Sequence, residues 1–168
     1  KKNPQSPVPL RPHTNFAMPW DMIAMDVAGP FRETQKGNRY LLVFTDFLTR
    51  FPEAFALPEV TARSVALIFV REICFRYGCC KVLLSDRGTN FTARFFQEIC
   101  HWMSIYKIFS PSYSPNVQGL VERFNKVVVK CVSFYQDKDN WDIYVPPVLF
   151  AYRTSIHPAT GETPFFLL

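Results

Sequence analysis

A chain of 168 residues, 48% hydrophobic and 16% aromatic, holds enough apolar mass for one buried core and excludes general disorder. Nineteen Lys and Arg against fourteen Asp and Glu leave a net charge of +5, a balance that suits a polyanionic partner without demanding one. Five cysteines with no C-x-x-C pair, beside three histidines, argue against a zinc site, and neither a signal-peptide pattern nor an apolar run of about eighteen residues is present to suggest secretion or membrane insertion.

Residues 1–18 carry four prolines, at positions 4, 7, 9 and 12, and read as an extended linker, with residues 19–168 as one folded domain. Residues 20–27 predict a first strand. Residues 40–45 are an almost continuous apolar run, which suits a strand buried on both faces. Residues 51–57 predict a third strand with 46–50 as the connection, so the three form an antiparallel meander. Asp46 is a candidate fourth metal-binding acid, but an aspartate at a strand end more often fixes a turn by accepting from backbone amides.

Residues 61–77 predict a helix, with Thr61 as N-cap, apolar residues at 65, 69, 73 and 77, and Gly78 where positive φ closes a helix. This crossover leads to a strand at 82–85 that ends at Asp86, and a strand, helix, strand order favours a parallel, right-handed connection. Asp86 therefore stands at a strand's C-terminal end, where sites in open α/β sheets form. Phe95, Phe96, Ile99 and Met103 set a helix over 92–103, followed by a fifth strand at 105–109.

Residues 110–119, with two prolines, three serines and a glycine, predict a mobile loop. Over 118–136 a helix buries Val121, Phe124, Val128, Val132 and Tyr135, while Gln118, Glu122, Lys126 and Lys130 recur on its polar side. Read alone, Glu122 and Lys126 are an ordinary exposed ion pair. Cys74, Cys100 and Cys131 fall in predicted helices as buried, reduced thiols. Pro146 and Pro147 break any helix over 141–153 and restart it with Pro147 in the first turn. His157, Pro158 and Gly161 predict an irregular turn, after which the apolar tail 165–168 either packs on the core or runs on into a longer chain.

Three acids stand out by context. Asp26 lies in Ile23-Ala24-Met25-Asp26-Val27-Ala28-Gly29-Pro30 and Asp86 in Leu83-Leu84-Ser85-Asp86-Arg87-Gly88-Thr89-Asn90-Phe91. Glu122, with thirty-five residues between it and Asp86, lies in Ser114-Pro115-Asn116-Val117-Gln118-Gly119-Leu120-Val121-Glu122-Arg123-Phe124-Asn125-Lys126. Each stretch resembles one block of the catalytic core of retroviral and long-terminal-repeat retrotransposon integrases, polynucleotidyl transferases with an Asp, Asp, Glu triad. The chain is most similar to the Gypsy branch. Trp20, Gly37-Asn38-Arg39-Tyr40-Leu41-Leu42-Val43, Ala151-Tyr152-Arg153 and Thr163-Pro164-Phe165 also fall in family order, so the resemblance covers residues 20–168.

The resemblance implies an RNase H-like α/β core with a five-stranded mixed sheet flanked by helices. It implies 3′-end processing of element DNA and its strand transfer into target double-stranded DNA, in the nucleus, by an oligomer that is at least a dimer. Phosphodiester transfer needs an activated water or 3′ hydroxyl, a stabilised leaving oxygen and neutralised phosphate charge, which two divalent ions about 4 Å apart supply and hard oxygen ligands hold. Three clustered carboxylates without metal would repel and shift one another's pKa values. By resemblance Asp26 bridges two Mg2+ ions, with Mn2+ a substitute, while Asp86 completes one site and Glu122 the other. Gln118, Asn125, Lys126 and, more weakly, Lys130 fall near the DNA, where an amide and an ammonium can meet phosphate.

Family members usually carry His or Asn before the proline matching Pro115, and often Asn where Arg153 stands; this chain has Ser114 and Arg153. Two rival readings are a domesticated, non-catalytic DNA-binding or scaffold protein and an RNase H-type nuclease. With neither an upstream zinc module nor a downstream DNA-binding module in residues 1–168, the isolated chain is expected to act on a preassembled branched substrate and to fail at concerted integration of two ends.

Overall fold

The computed structural model describes residues 17–109, 127 and 138–168. The linker over residues 1–16, the predicted loop at 110–119 and nearly all of the predicted helix at 118–136 lie outside the described residues.

Strands β1 (Met22–Ala28), β2 (Tyr40–Asp46) and β3 (Pro52–Leu57) form an antiparallel meander, and β4 (Val82–Ser85) and β5 (Tyr106–Phe109) join alongside β1 in parallel. The order across the sheet is β3-β2-β1-β4-β5, the five-stranded mixed sheet that the sequence predicts. Side-chain alternation along β2 explains its unbroken apolar run. Leu42 and Phe44 face one core with Ile23, Met25, Leu83, Phe69 and Phe96, while Leu41 and Val43 face a second with Trp141, Val145, Val148 and Leu149.

Trp20 does not begin β1. It stands in a turn before the strand with a left-handed backbone (φ 65°), its amide donating to Asp46 Oδ1 at 2.9 Å and its ring stacked 4.1 Å from Tyr77. A bulky residue rarely adopts that conformation, and here the fixed acceptor and the stacking partner hold it.

The crossover begins as predicted. Thr61 Oγ1 accepts from the Ser64 amide at 3.0 Å and Ser64 Oγ accepts from the Thr61 amide at 2.9 Å, a reciprocal cap on α1 (Ala62–Ile68). One uniform helix does not follow, because the chain widens into a π-helical stretch over Phe69–Cys74 before α2 (Phe75–Tyr77). Val65, Phe69 and Ile73 are all fully buried, and a four-residue spacing exceeds the 3.6 of an α-helix, so wider winding keeps that stripe on the sheet. Gly78 closes the segment at φ 91°. The predicted helix at 92–103 is likewise two pieces, α3 (Thr89–Thr92) and α4 (Arg94–Trp102), broken at Ala93, whose ψ of 135° is extended.

After a 3-10 stretch over Lys138–Tyr144, α5 (Val145–Thr154) starts with Pro146 and Pro147 in its first turn, as predicted. Trp141 is buried and donates Nε1–H to the Arg32 carbonyl at 2.7 Å, tying this stretch to the loop after β1. Thr163 then caps α6 (Pro164–Leu167) by accepting from the Phe166 amide at 3.2 Å. In the apolar tail Phe165 rests 6.4 Å from Phe51, yet both Phe165 and Phe166 remain largely exposed. Among the described residues no helix is long and apolar enough to cross a membrane.

Candidate active site

The two strands that carry the candidate aspartates run side by side. Between β1 and β4 the parallel register pairs Met22 with Val82, Ile23 with Leu83 and Ala24 with Leu84. The ladder closes there, and Asp26 and Asp86 each stand two residues past its last pair, on neighbouring chain segments at the C-terminal end of the sheet's parallel centre. Asp26 is half-buried and alternates onto the face of Ala24, which forms a small apolar cluster with Leu84, Met22 and Ile108. There β1 still pairs with β2, Asp26 opposite Val43, whereas β4 has already ended at Ser85.

Asp86 is exposed, and its Oδ1 accepts from the Gly88 amide at 2.9 Å. A Cβ at position 88 would stand 3.1 Å from that oxygen, so glycine lets the chain turn tightly beneath the carboxylate. Oδ2 takes no hydrogen bond among the described residues. Glu122, Gln118, Asn125, Lys126 and Lys130 lie outside the described residues, as does Ser114. Among the described residues no group of three His, Cys, Asp or Glu side chains stands close enough to hold a metal ion. The carboxylates of the two candidate aspartates that are described are hard oxygen donors of the kind Mg2+ or Mn2+ takes, and among the described residues Asp86 keeps one oxygen open.

Asp46 does what an acid at a strand end commonly does. Fully buried, it accepts from the Trp20 amide at 2.9 Å, from the Thr49 amide at 2.8 Å and from Thr49 Oγ1 at 2.7 Å. Three donors occupy its carboxylate, which closes the turn into β3 and is turned away from metal chemistry.

Sequence reasoning passed over Lys107. This half-buried lysine in β5 donates its ammonium to Ser85 Oγ and lies over the Phe109 ring at 4.8 Å, with Phe91 and Phe96 at 5.8 and 5.9 Å. Burial pulls its pKa down to about 8, against the opposing pull of Cys100, Asp86 and Cys80. The signal available in the sequence was a single charge inside an otherwise uncharged strand.

Arg153, a departure from the family pattern, turns inward. Its Nη2 meets Glu53 at 2.8 Å and the Pro52 carbonyl at 2.6 Å, Nε donates to the same carbonyl at 3.0 Å, and the guanidinium lies 4.3 Å over Phe51.

A mixed sheet in this order, flanked by helices and with acids at the ends of its central strands, defines an RNase H-like fold. The HTLV-2 integrase catalytic core domain, solved in complex with magnesium as a trimeric form, shares that fold with a TM-score of 0.71 at 21% identity, over 90% of this chain and 97% of that one. The chain belongs to the integrase core domain family, whose pattern matches residues 17–115. It is 33% identical over 135 residues to the Gag-Pol polyprotein of Feline leukemia virus, and 23% identical over 151 residues to the retrovirus-related Pol polyprotein from transposon 412 of Drosophila melanogaster. Those matches take in 79% and 89% of this chain but only 8% and 12% of the polyproteins.

Proposed function

We propose that this chain is the catalytic core of an integrase that processes the 3′ ends of element DNA and transfers them into target DNA by metal-dependent phosphodiester chemistry. The observation that supports the reading is that β1 and β4 run side by side in parallel, with Asp26 and Asp86 each two residues past their last register pair, Ala24 with Leu84. Family membership supplies the class of reaction.

In this reading Asp26, Asp86 and Glu122 hold two divalent ions, Mg2+ or Mn2+, which when bound activate the attacking hydroxyl and stabilise the leaving oxygen. The chain's own residues do the rest. Asp86 presents one oxygen outward while the Gly88 amide holds the other. Asp26, half-buried and paired with Val43 of β2, has little freedom to move. Gln118, Asn125, Lys126 and Lys130 contact DNA phosphates and position the strand. The partners are element ends and target duplex, the working form is an oligomer of at least two copies, and the place of action is the nucleus.

The test is strand transfer, and its reversal on a branched substrate, with labelled terminal-repeat DNA and with or without Mg2+ or Mn2+. Metal-dependent joining that vanishes in Asp86→Asn, with circular dichroism unchanged, supports the reading. Activity undiminished in Asp86→Asn removes the catalytic assignment. DNA binding without any joining favours a domesticated scaffold, and hydrolysis of RNA–DNA hybrids without joining favours a nuclease.

A further inference from the structure

Lys107 is the one charged residue of β5, and it points at the root of Asp86. An ammonium has three donors and no acceptor, so Ser85 Oγ must accept from it. That leaves the Ser85 hydroxyl proton to be donated, and its acceptor is the backbone carbonyl of Asp86 at 2.8 Å. This carbonyl stands past both ladders, because the β1–β4 register closes at Ala24 with Leu84 and the β4–β5 register at Ser85 with Phe109. A backbone acceptor at the end of a buried strand needs a donor from somewhere, and the relay from Lys107 through Ser85 provides one where the sheet no longer does.

We propose that Lys107 and Ser85 are positioning residues for Asp86, together clamping the strand end from which its carboxylate projects. Asp86 is then held from two sides, its carbonyl by Ser85 and its Oδ1 by the Gly88 amide, with Oδ2 left for a ligand. The three phenylalanine rings around the ammonium help to keep the donor in place. The proposal deepens the catalytic reading, on which it rests for its consequence: partners behind a metal-binding carboxylate set its direction, and their loss commonly weakens metal affinity about tenfold or more.

The experiment uses Lys107→Met, Ser85→Ala and Ser85→Thr in the full chain. Methionine fills an aromatic-lined space of similar length, so the fold is expected to survive, as circular dichroism would show. The first readout is the amide proton resonance of Gly88, with Asp86→Ala marking its position when unbonded. Lys107→Met and Ser85→Ala are each expected to move it at least about half of that way, since a charge-assisted bond to Oδ1 is what displaces it. Ser85→Thr, which keeps the hydroxyl, leaves it in place. The double variant moves it no further than either single one, because both break the same relay. The second readout is Mn2+ binding, expected to fall about tenfold in the same two variants and not in Ser85→Thr. A lysine that only fills the core would alter stability yet leave the Gly88 resonance and Mn2+ affinity unmoved, and that result overturns the proposal. If the resonance moves as expected while the unaltered chain binds no Mn2+, the clamp stands and the metal reading falls.

Discussion

Arg153 in α5 and Glu53 in β3 meet at 2.8 Å inside the protein, and around the same carboxylate stand Arg76 Nη2 at 3.1 Å and the Tyr77 hydroxyl, which donates at 2.5 Å. Burial first, and then the bond to Glu53, push the Tyr77 phenol up to about 12, so it remains a donor throughout the physiological range. One buried acid thus joins β3, the end of the crossover and α5. Removing Arg153 takes the cation from Oε2 and both side-chain donors from the Pro52 carbonyl, while Arg76 and Tyr77 stay on Oε1, and a loss of this size costs about 3 kcal/mol. Arg153→Ala is expected to lower stability by about that much in urea unfolding, and Arg153→Lys to recover little of it, since an ammonium cannot serve Glu53, the Pro52 carbonyl and the Phe51 face together. A loss below about 1 kcal/mol in Arg153→Ala would mean that the pair is as weak as a surface one.

Asp46 gives a contrasting acid. With three hydrogen bonds to a buried carboxylate, Asp46→Ala is expected to cost about 3 kcal/mol or more. At a temperature where the variant is still folded, its dependence of strand transfer on Mn2+ concentration should match the parent's. A shifted metal dependence would put Asp46 in the metal site after all.

Lys107 predicts a stability difference that depends on pH. In the folded chain its pKa is about 8, while unfolded it returns to the ordinary 10.5, so between those values the unfolded state binds more protons and stability rises with pH. Below about pH 8 the buried charge costs its full amount. The stability advantage of Lys107→Met over the parent should therefore be largest near neutrality and shrink toward about pH 10. A difference in urea midpoints that stays flat over this range would show that the amine is not desolvated.

The thiols should separate by reactivity. Burial pushes Cys74 up to about 12 and Cys100 up to about 11, and raises Cys80 as well, whereas Cys79 is exposed. Because the thiolate is the nucleophile, iodoacetamide near pH 8 should label Cys79 at least about tenfold faster than Cys74, Cys80 or Cys100, as read by peptide mass mapping. Labelling of Cys74 at the rate of Cys79 would mean that the end of the crossover opens readily, and labelling of Cys100 at that rate would say the same of α4.

The sequence carried the sheet plainly because local signals bounded each strand. Gly29-Pro30 and Gly37-Asn38 punctuate the meander, and the unbroken apolar run of β2 announces burial on two faces. Asp26 and Asp86 stood out as candidates because each acid follows an apolar strand run, a pattern visible within a few residues. What stayed hidden depends on partners far away in the chain. Glu53 looks like a solvent-facing strand residue until Arg76 and Arg153 are brought to it, and the turn at Trp20 exists because Asp46 accepts its amide from the far end of β2. Lys107 was hidden for the opposite reason, since its neighbours in sequence describe an ordinary buried strand and nothing local names Ser85. The wider winding at Phe69–Cys74 was encoded in the four-residue spacing, which a helix template absorbs without notice.

The carbonyls of Phe51 and Leu57 accept from Asp46 and Arg39, so Pro52, of opposite parity, turns its backbone to the outer border of the sheet. A proline has no N–H to offer there, and both Nε and Nη2 of Arg153 already occupy its carbonyl. The first rung on which an incoming strand could dock is thereby withdrawn. Arg153 acts as a stopper against edge-to-edge growth of this sheet, leaving any association between copies to other faces.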